Sequence, residues 1–151
     1  MKIETRIFGV IDIEESKILT FDKGIIGFPE LQRFTLIHDE EVGANAGIRY
    51  LQSMDEPGFA MPVMDPLLVK EDYNPEVEDE LLKPLGGLDP DQLLVLVTVT
   101  VPKDIKKMTV NLKGPFVINA ETRKACQIII EEDIDVKFPV YEILESRKKV
   151  N

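Results

Sequence analysis

A chain of 151 residues with ordinary apolar content and a formal net charge of −10 fits one globular domain and is neither a disordered acidic tail nor a fibre. No apolar run approaches the ~20 residues needed to span a bilayer, and the charged start Met1-Lys2-Ile3-Glu4-Thr5-Arg6 has no room for the apolar region of a signal peptide. The single cysteine, Cys126, excludes an internal disulfide framework and suits a reducing cytoplasm.

Alternation dominates the first third. Ile3, Thr5 and Ile7 oppose Lys2, Glu4 and Arg6, predicting a first strand; residues 18–21 form another, with 9–12 and 14–17 as the turns between them. The segment Phe21-Asp-Lys-Gly-Ile-Ile-Gly-Phe-Pro29 then sets two glycines and a proline among apolar residues, a loop that bends tightly or admits another backbone closely. Residues 34–38 and 50–53 read as strands. Residues 59–63 read as an edge strand, because Pro62 lacks an N–H for a ladder.

Residues 39–91 carry fourteen acids against three bases, Arg49, Lys70 and Lys83, a local charge of −11 in a chain otherwise near neutrality. A field of that size repels nucleic acid and anionic lipid and draws in basic partners; the plainer reading is that the acids solubilise loops. Within the segment, residues 76–85 have the best helical pattern. Val77, Leu81, Leu82 and Leu85 share one face, Glu78, Asp79, Glu80 and Lys83 the other, and Gly86-Gly87 supplies the stop.

The strongest strand covers residues 93–101. Its odd positions and the leading even ones are all apolar, predicting a central strand covered on both faces, and Pro102 ends it. Further strands are expected at 108–112, 116–119 and 125–130, and a short helix or frayed tail at 141–151. Many short strands separated by Gly, Pro and Asn turns predict a mainly β fold: a small β-barrel-like folded sheet with one or two short helices. One domain spans 1–140, followed by a charged C-terminal tail, 141–151.

Reactive chemistry is sparse. His38 is the single histidine, which removes multi-histidine metal sites, and it reads as a strand-end residue, not a general base. No nucleophile elbow, P-loop, dinucleotide fingerprint or EF-hand loop occurs. Cys126, inside an apolar run, reads as a structural thiol. Asp39-Glu40-Glu41 and Glu131-Glu132-Asp133 with Asp135 place neighbouring carboxylates on opposite sides of a strand, not around one cation. Lys103, Lys106 and Lys107 read as a solvated turn, and sparse aromatics without tryptophan disfavour a nucleic-acid platform. No enzyme, cofactor, metal or membrane role is expected.

One segment carries a family signature: Asn111-Leu112-x-x-Pro115-x-x-Ile118-Asn119, with Gln127 further on. It is a strand, a Gly-Pro break, a strand, a polar turn and a returning strand, with the amides placed to tie backbone at the joints. Together with Phe21-x-x-Gly24-Ile25-x-Gly27-Phe28, and with Phe34 and Phe59-Ala60-Met61 in order, it resembles the FliW family of bacterial flagellar assembly factors over roughly residues 1–140. The resemblance implies a non-enzymatic cytoplasmic regulator, monomeric when free, that binds flagellin and also antagonises CsrA, a small dimeric RNA-binding repressor of translation. Flagellin would occupy it as flagellin accumulates, releasing the repressor. On that reading, Ile25, Ile26, Phe28 and Phe59 are candidate apolar anchors, each with a core alternative. Asp55, Glu56, Glu76, Glu78, Asp79 and Glu80 are candidate steering charges. The alternative is a generic acidic protein-interaction β-domain with other partners.

Overall fold

The computed structural model describes residues 1–37, 47–86 and 89–150, the side chains of 90 and 147–150 excepted. The chain opens with an antiparallel hairpin of β1 (Lys2–Thr5) and β2 (Gly9–Asp12), paired from Lys2↔Asp12 to Thr5↔Gly9. Residues 9–12, expected as a turn, are therefore a strand. The turn falls earlier because Thr5 closes it: the Phe8 N–H donates to Thr5 Oγ1 at 2.8 Å and the Thr5 hydroxyl donates to the Gly9 carbonyl at 2.9 Å. That leaves the β-branched pair Val10-Ile11 free to ladder. Phe8 packs edge-on against Tyr50, with ring centroids 5.2 Å apart, and Arg6 reaches the Gly58 carbonyl at 3.1 Å, so the hairpin is pinned to the main sheet.

Among the described residues the main sheet holds β3 (Ile18–Phe21), β4 (Arg33–Ile37), β5 (Arg49–Ser53), β6 (Ala60–Met64), β7 (Leu93–Thr100), β8 (Thr109–Val110), β9 (Phe116–Asn119), β10 (Lys124–Gln127) and β11 (Phe138–Pro139). Seven of them run in the order β7-β6-β5-β4-β3-β10-β9, and β9 pairs back onto β7 from Leu93↔Asn119 to Leu96↔Phe116, closing a barrel. Closure removes the edges that an open sheet would expose. β10 runs parallel to β3, the remaining neighbours being antiparallel, and β8 and β11 extend outward from the far end of β7. The fold is the mainly β, barrel-like one expected from the strand pattern.

β6 is not an edge strand; it lies between β5 and β7. Its ladder to β7 contains only Val63↔Thr98 and Met64↔Val97, so Pro62 sits just beyond the end of that ladder, where its missing N–H is tolerated. β7 is covered on both faces as expected. Leu96 enters the barrel interior, whereas Val97 and Val99 enter a second core that also takes Val110, Val140 and Leu144. The interior is built on Phe21, which meets Phe34 at 5.3 Å and Phe116 at 5.7 Å, all edge-on, the arrangement ring quadrupoles favour.

The helix expected at 76–85 is much shorter. Residues 74–78 carry no regular secondary structure, α1 is a single turn at Asp79–Leu82, and a 3-10 turn at Lys83–Leu85 follows. Pro84 cannot donate a helical hydrogen bond, so the α-ladder stops before it, and Gly86 (φ +95°) ends the segment in the left-handed region. Three residues of the predicted apolar face, Val77, Leu82 and Leu85, still pack together on one core with Val117, Ile128 and Ile130. Leu85 is buried, but Leu81 is 48% exposed. This acidic strap is tied down by the Tyr73 hydroxyl donating to the Leu112 carbonyl at 2.6 Å and by Thr122 Oγ1 donating to the Leu85 carbonyl. At the C-terminus, α2 (Tyr141–Val150) packs through Leu144 on the second core.

Candidate functional site

The loop that leaves β3 is shaped by its two glycines. The Gly24 N–H donates to the Phe21 carbonyl at 2.9 Å, and Gly24 has φ +68°; a side chain there would collide with the Pro29 backbone. Ile25 and Phe28 then exchange backbone hydrogen bonds, Phe28 N–H to Ile25 O at 2.9 Å and the reverse at 3.3 Å. Between them Gly27 takes φ +90°, the conformation that a type II turn demands at its third residue. The consequence is a sorted loop. Ile25 is 4% exposed and belongs to the barrel core, while Ile26 and Phe28 stand out at 54% and 42%.

Phe28 is exposed but not loose. Its ring lies 5.0 Å from that of Phe59, which lies 6.4 Å from Phe34, itself stacked edge-on with Phe21. A column of rings thus runs from the surface to the centre of the barrel, giving apolar contact area with little rotamer entropy left to lose. Phe59 sits in the β5–β6 connection beside Asp55 and Glu56, where Ser53 Oγ accepts the N–H groups of both acids at 3.1 and 2.9 Å.

Asp55 and Glu56 differ in what they can offer a partner. Asp55 Oδ2 accepts the N–H groups of Gln32 and Arg33 at 2.8 and 2.9 Å, and Oδ1 pairs with Arg33 Nε at 3.0 Å. Partial burial pulls its pKa upward, but the two backbone donors and the Arg33 guanidinium outweigh that, leaving the carboxyl below its ordinary value. Asp55 is thereby a staple between β4 and the β5–β6 turn. Glu56 is exposed and, among the described residues, accepts the nearby Gly58 N–H at 3.2 Å.

On its other side the loop faces α1 across a groove of about 370 Å³, lined by Gly24, Leu81, Pro84, Cys126, Gln127 and Ile129. Glu78, Asp79 and Glu80 are exposed on and beside this wall, with no ion-pair partner among the described residues. Burial raises the Cys126 thiol above its ordinary pKa, against a weaker opposing effect of Lys23, so that side chain is an uncharged thiol in the groove. The groove thus separates the glycine loop from the acidic strap, while the Phe28–Phe59 contact joins the loop to the connection that carries Asp55 and Glu56. Glu76 belongs elsewhere: its N–H donates to Glu132 Oε1 at 2.8 Å.

Leu81, on the apolar face predicted for 76–85, and Ile129, within the strand expected at 125–130, are surface residues. Ile128, Ile129 and Ile130 alternate buried, exposed, buried, but three identical side chains give no sequence cue to which of them faces outward. His38 and Asp39-Glu40-Glu41 lie outside the described residues. Among the described residues no three His, Cys, Asp or Glu side chains are grouped to hold a metal ion, and no helix is long and apolar enough to cross a membrane. Lys106 and Lys107 form part of an exposed 3-10 turn.

Comparison with known proteins agrees over the whole barrel. A family model described as FliW protein matches residues 2–140. The flagellar assembly factor FliW of Lachnoclostridium phytofermentans is 47% identical over 150 residues, covering 99% of this chain and 96% of that protein. The one from Lachnospira eligens is also 47% identical, with 98% and 99% covered. A crystal structure of the flagellar assembly factor FliW superposes with a TM-score of 0.82 at 29% identity, over 92% of this chain and 94% of the other. The match spans the closed barrel, the glycine loop and the Asn111–Gln127 segment, and the chain belongs to the FliW family of flagellar assembly factors.

Proposed function

We propose that this chain is a non-enzymatic cytoplasmic partner switch that binds flagellin and antagonises the translational repressor CsrA. Free protein sequesters the repressor, and accumulating flagellin displaces it, so flagellin synthesis follows assembly. The observation that carries the reading is the division of the surface around the glycine loop. Ile26 and Phe28 offer a rigid apolar patch, Glu56 is exposed in the connection that carries Phe59, and Glu78, Asp79 and Glu80 are exposed on the strap across the groove. An RNA-binding repressor must present basic surface, so those acids accelerate and select its approach. Flagellin, engaging through an apolar helical face, depends on the loop and groove.

The test is a pair of titrations, purified CsrA and purified flagellin, each from low to high salt. The expected result is a repressor complex weakened far more steeply than the flagellin complex. Equal salt slopes contradict the division of labour, and absence of both complexes leaves a generic acidic interaction domain as the better description.

A further inference from the structure

We propose that Gln127 is the positioning residue of the Ile26–Gly27 tip: its side-chain amide clamps the tip to the Gly114 turn and holds the partner-facing apolar residues in one conformation. The proposal rests on the reading that this loop contacts a partner, and it adds the residue that makes the contact surface rigid.

The Ile26 N–H donates to Gln127 Oε1 at 2.8 Å, across 101 positions of sequence. The other end of the same amide, Nε2, donates to the Gly114 carbonyl at 3.0 Å. One planar group thus bridges two turns. The Gly114 carbonyl is itself aimed, because Asn111 Oδ1 accepts the N–H groups of Lys113 and Gly114 at 3.0 and 3.2 Å and fixes that turn. A Cβ at Gly114 would lie 3.3 Å from Gln127 Nε2 and from Asn111 Nδ2, so both amides would have to shift by a few tenths of an ångström to admit it. Asn111, Gly114 and Gln127, far from the loop in sequence, therefore act on it through one relay.

Glutamine is the side chain that this geometry selects. The tip presents a donor and the Gly114 turn an acceptor, so the bridging group needs an acceptor and a donor a fixed distance from β10. Glutamate would face the Gly114 carbonyl with a second acceptor. Methionine keeps the reach and makes neither bond. Without the clamp, the tip is left with the reciprocal Ile25–Phe28 pair, one bond of which is long at 3.3 Å. A looser tip makes a partner's binding carry the cost of ordering it.

The experiment compares wild type with Gln127→Met, Gln127→Glu and Gly114→Ala by three readouts: amide exchange at Ile26, dissociation rate of purified flagellin, and denaturant midpoint. In Gln127→Met, which removes the Ile26 acceptor, exchange at Ile26 should speed up by about tenfold and flagellin dissociation by about fivefold, the scale of one lost hydrogen bond. Gln127→Glu, which keeps that acceptor and loses only the bond to Gly114, and Gly114→Ala, which crowds the amide, should give smaller increases. In an Ile26→Ala background, Gln127→Met should change dissociation by less than about twofold, because its effect passes through the tip. An unchanged Ile26 exchange rate overturns the proposal. So does an undiminished Gln127→Met effect in the Ile26→Ala background, which would mean direct contact or general destabilisation. If wild type binds no flagellin, the reading under Proposed function fails, and the exchange rate of Ile26 alone decides whether the clamp exists.

Discussion

Reversing Glu76, Glu78, Asp79 and Glu80 to lysine isolates steering from holding. All four side chains are exposed. Four reversals lift the formal net charge from −10 to −2, with the whole change concentrated on one strap. Charged-patch steering is worth about 10- to 1,000-fold in association rate, and the screening length is about 8 Å at physiological salt. The structural cost is modest. Glu78 precedes α1 without a side-chain capping bond, and Asp79 and Glu80 occupy its first turn, where reversing a charge costs about 0.3–1 kcal/mol each. Glu76 contributes only its backbone N–H to Glu132. A total near 1–2 kcal/mol leaves a domain of ordinary stability folded. In stopped-flow mixing with CsrA, the association rate should fall at least about tenfold at low salt, with the deficit closing as salt rises. Dissociation should change by less than about twofold. An unchanged association rate at low salt, or a deficit of the same size at every salt concentration, refutes the reasoning.

Three smaller outcomes follow from single residues. Gly24→Ala meets both a left-handed backbone and the Pro29 backbone, whereas Gly9→Ala, at φ +67°, meets no atom within 4 Å. Gly9→Ala should therefore cost about 1 kcal/mol and Gly24→Ala more than twice that by denaturant midpoint, equal losses arguing against the close approach. Asp55→Ala leaves the Gln32 and Arg33 N–H groups without their acceptor and should cost about 1 kcal/mol near neutral pH. Because the folded carboxyl titrates below its unfolded value, that stabilisation is present above pH ~4 and fades as pH falls through the lowered pKa, so wild type and variant should converge in acid. Cys126, with its thiol raised by burial, should alkylate more slowly than free cysteine at neutral pH, and more slowly still once flagellin covers the groove. Unchanged protection on adding flagellin would place the binding face elsewhere.

The barrel was legible where the alternation was long. β7 displays both of its faces in sequence, and the structure puts Leu96 and Val97 into different cores accordingly. Rules failed where a neighbour outside the local window decided the matter. Gly9 and Asp12 look like turn residues, but Thr5 had already closed the turn. Pro62 argues for an edge, yet the β6–β7 ladder simply begins one residue later. The periodicity of residues 76–85 places Val77, Leu82 and Leu85 on one core, but Pro84 cuts the helix to a single turn and Leu81 lines a groove instead. The glycine loop was visible as a loop. Which of its apolar residues turns inward depended on the Ile25–Phe28 bridge and on Gln127, a partner 101 positions from Ile26.

Partner switching is tested most directly by adding purified flagellin to the preformed complex with labelled CsrA and following release of the label by anisotropy. Release should be complete near one equivalent of flagellin, and an Ile26→Ser, Phe28→Ser variant that still binds the repressor should release it only at much higher flagellin concentration. A stable ternary complex, with the repressor retained at saturating flagellin, would contradict the switch.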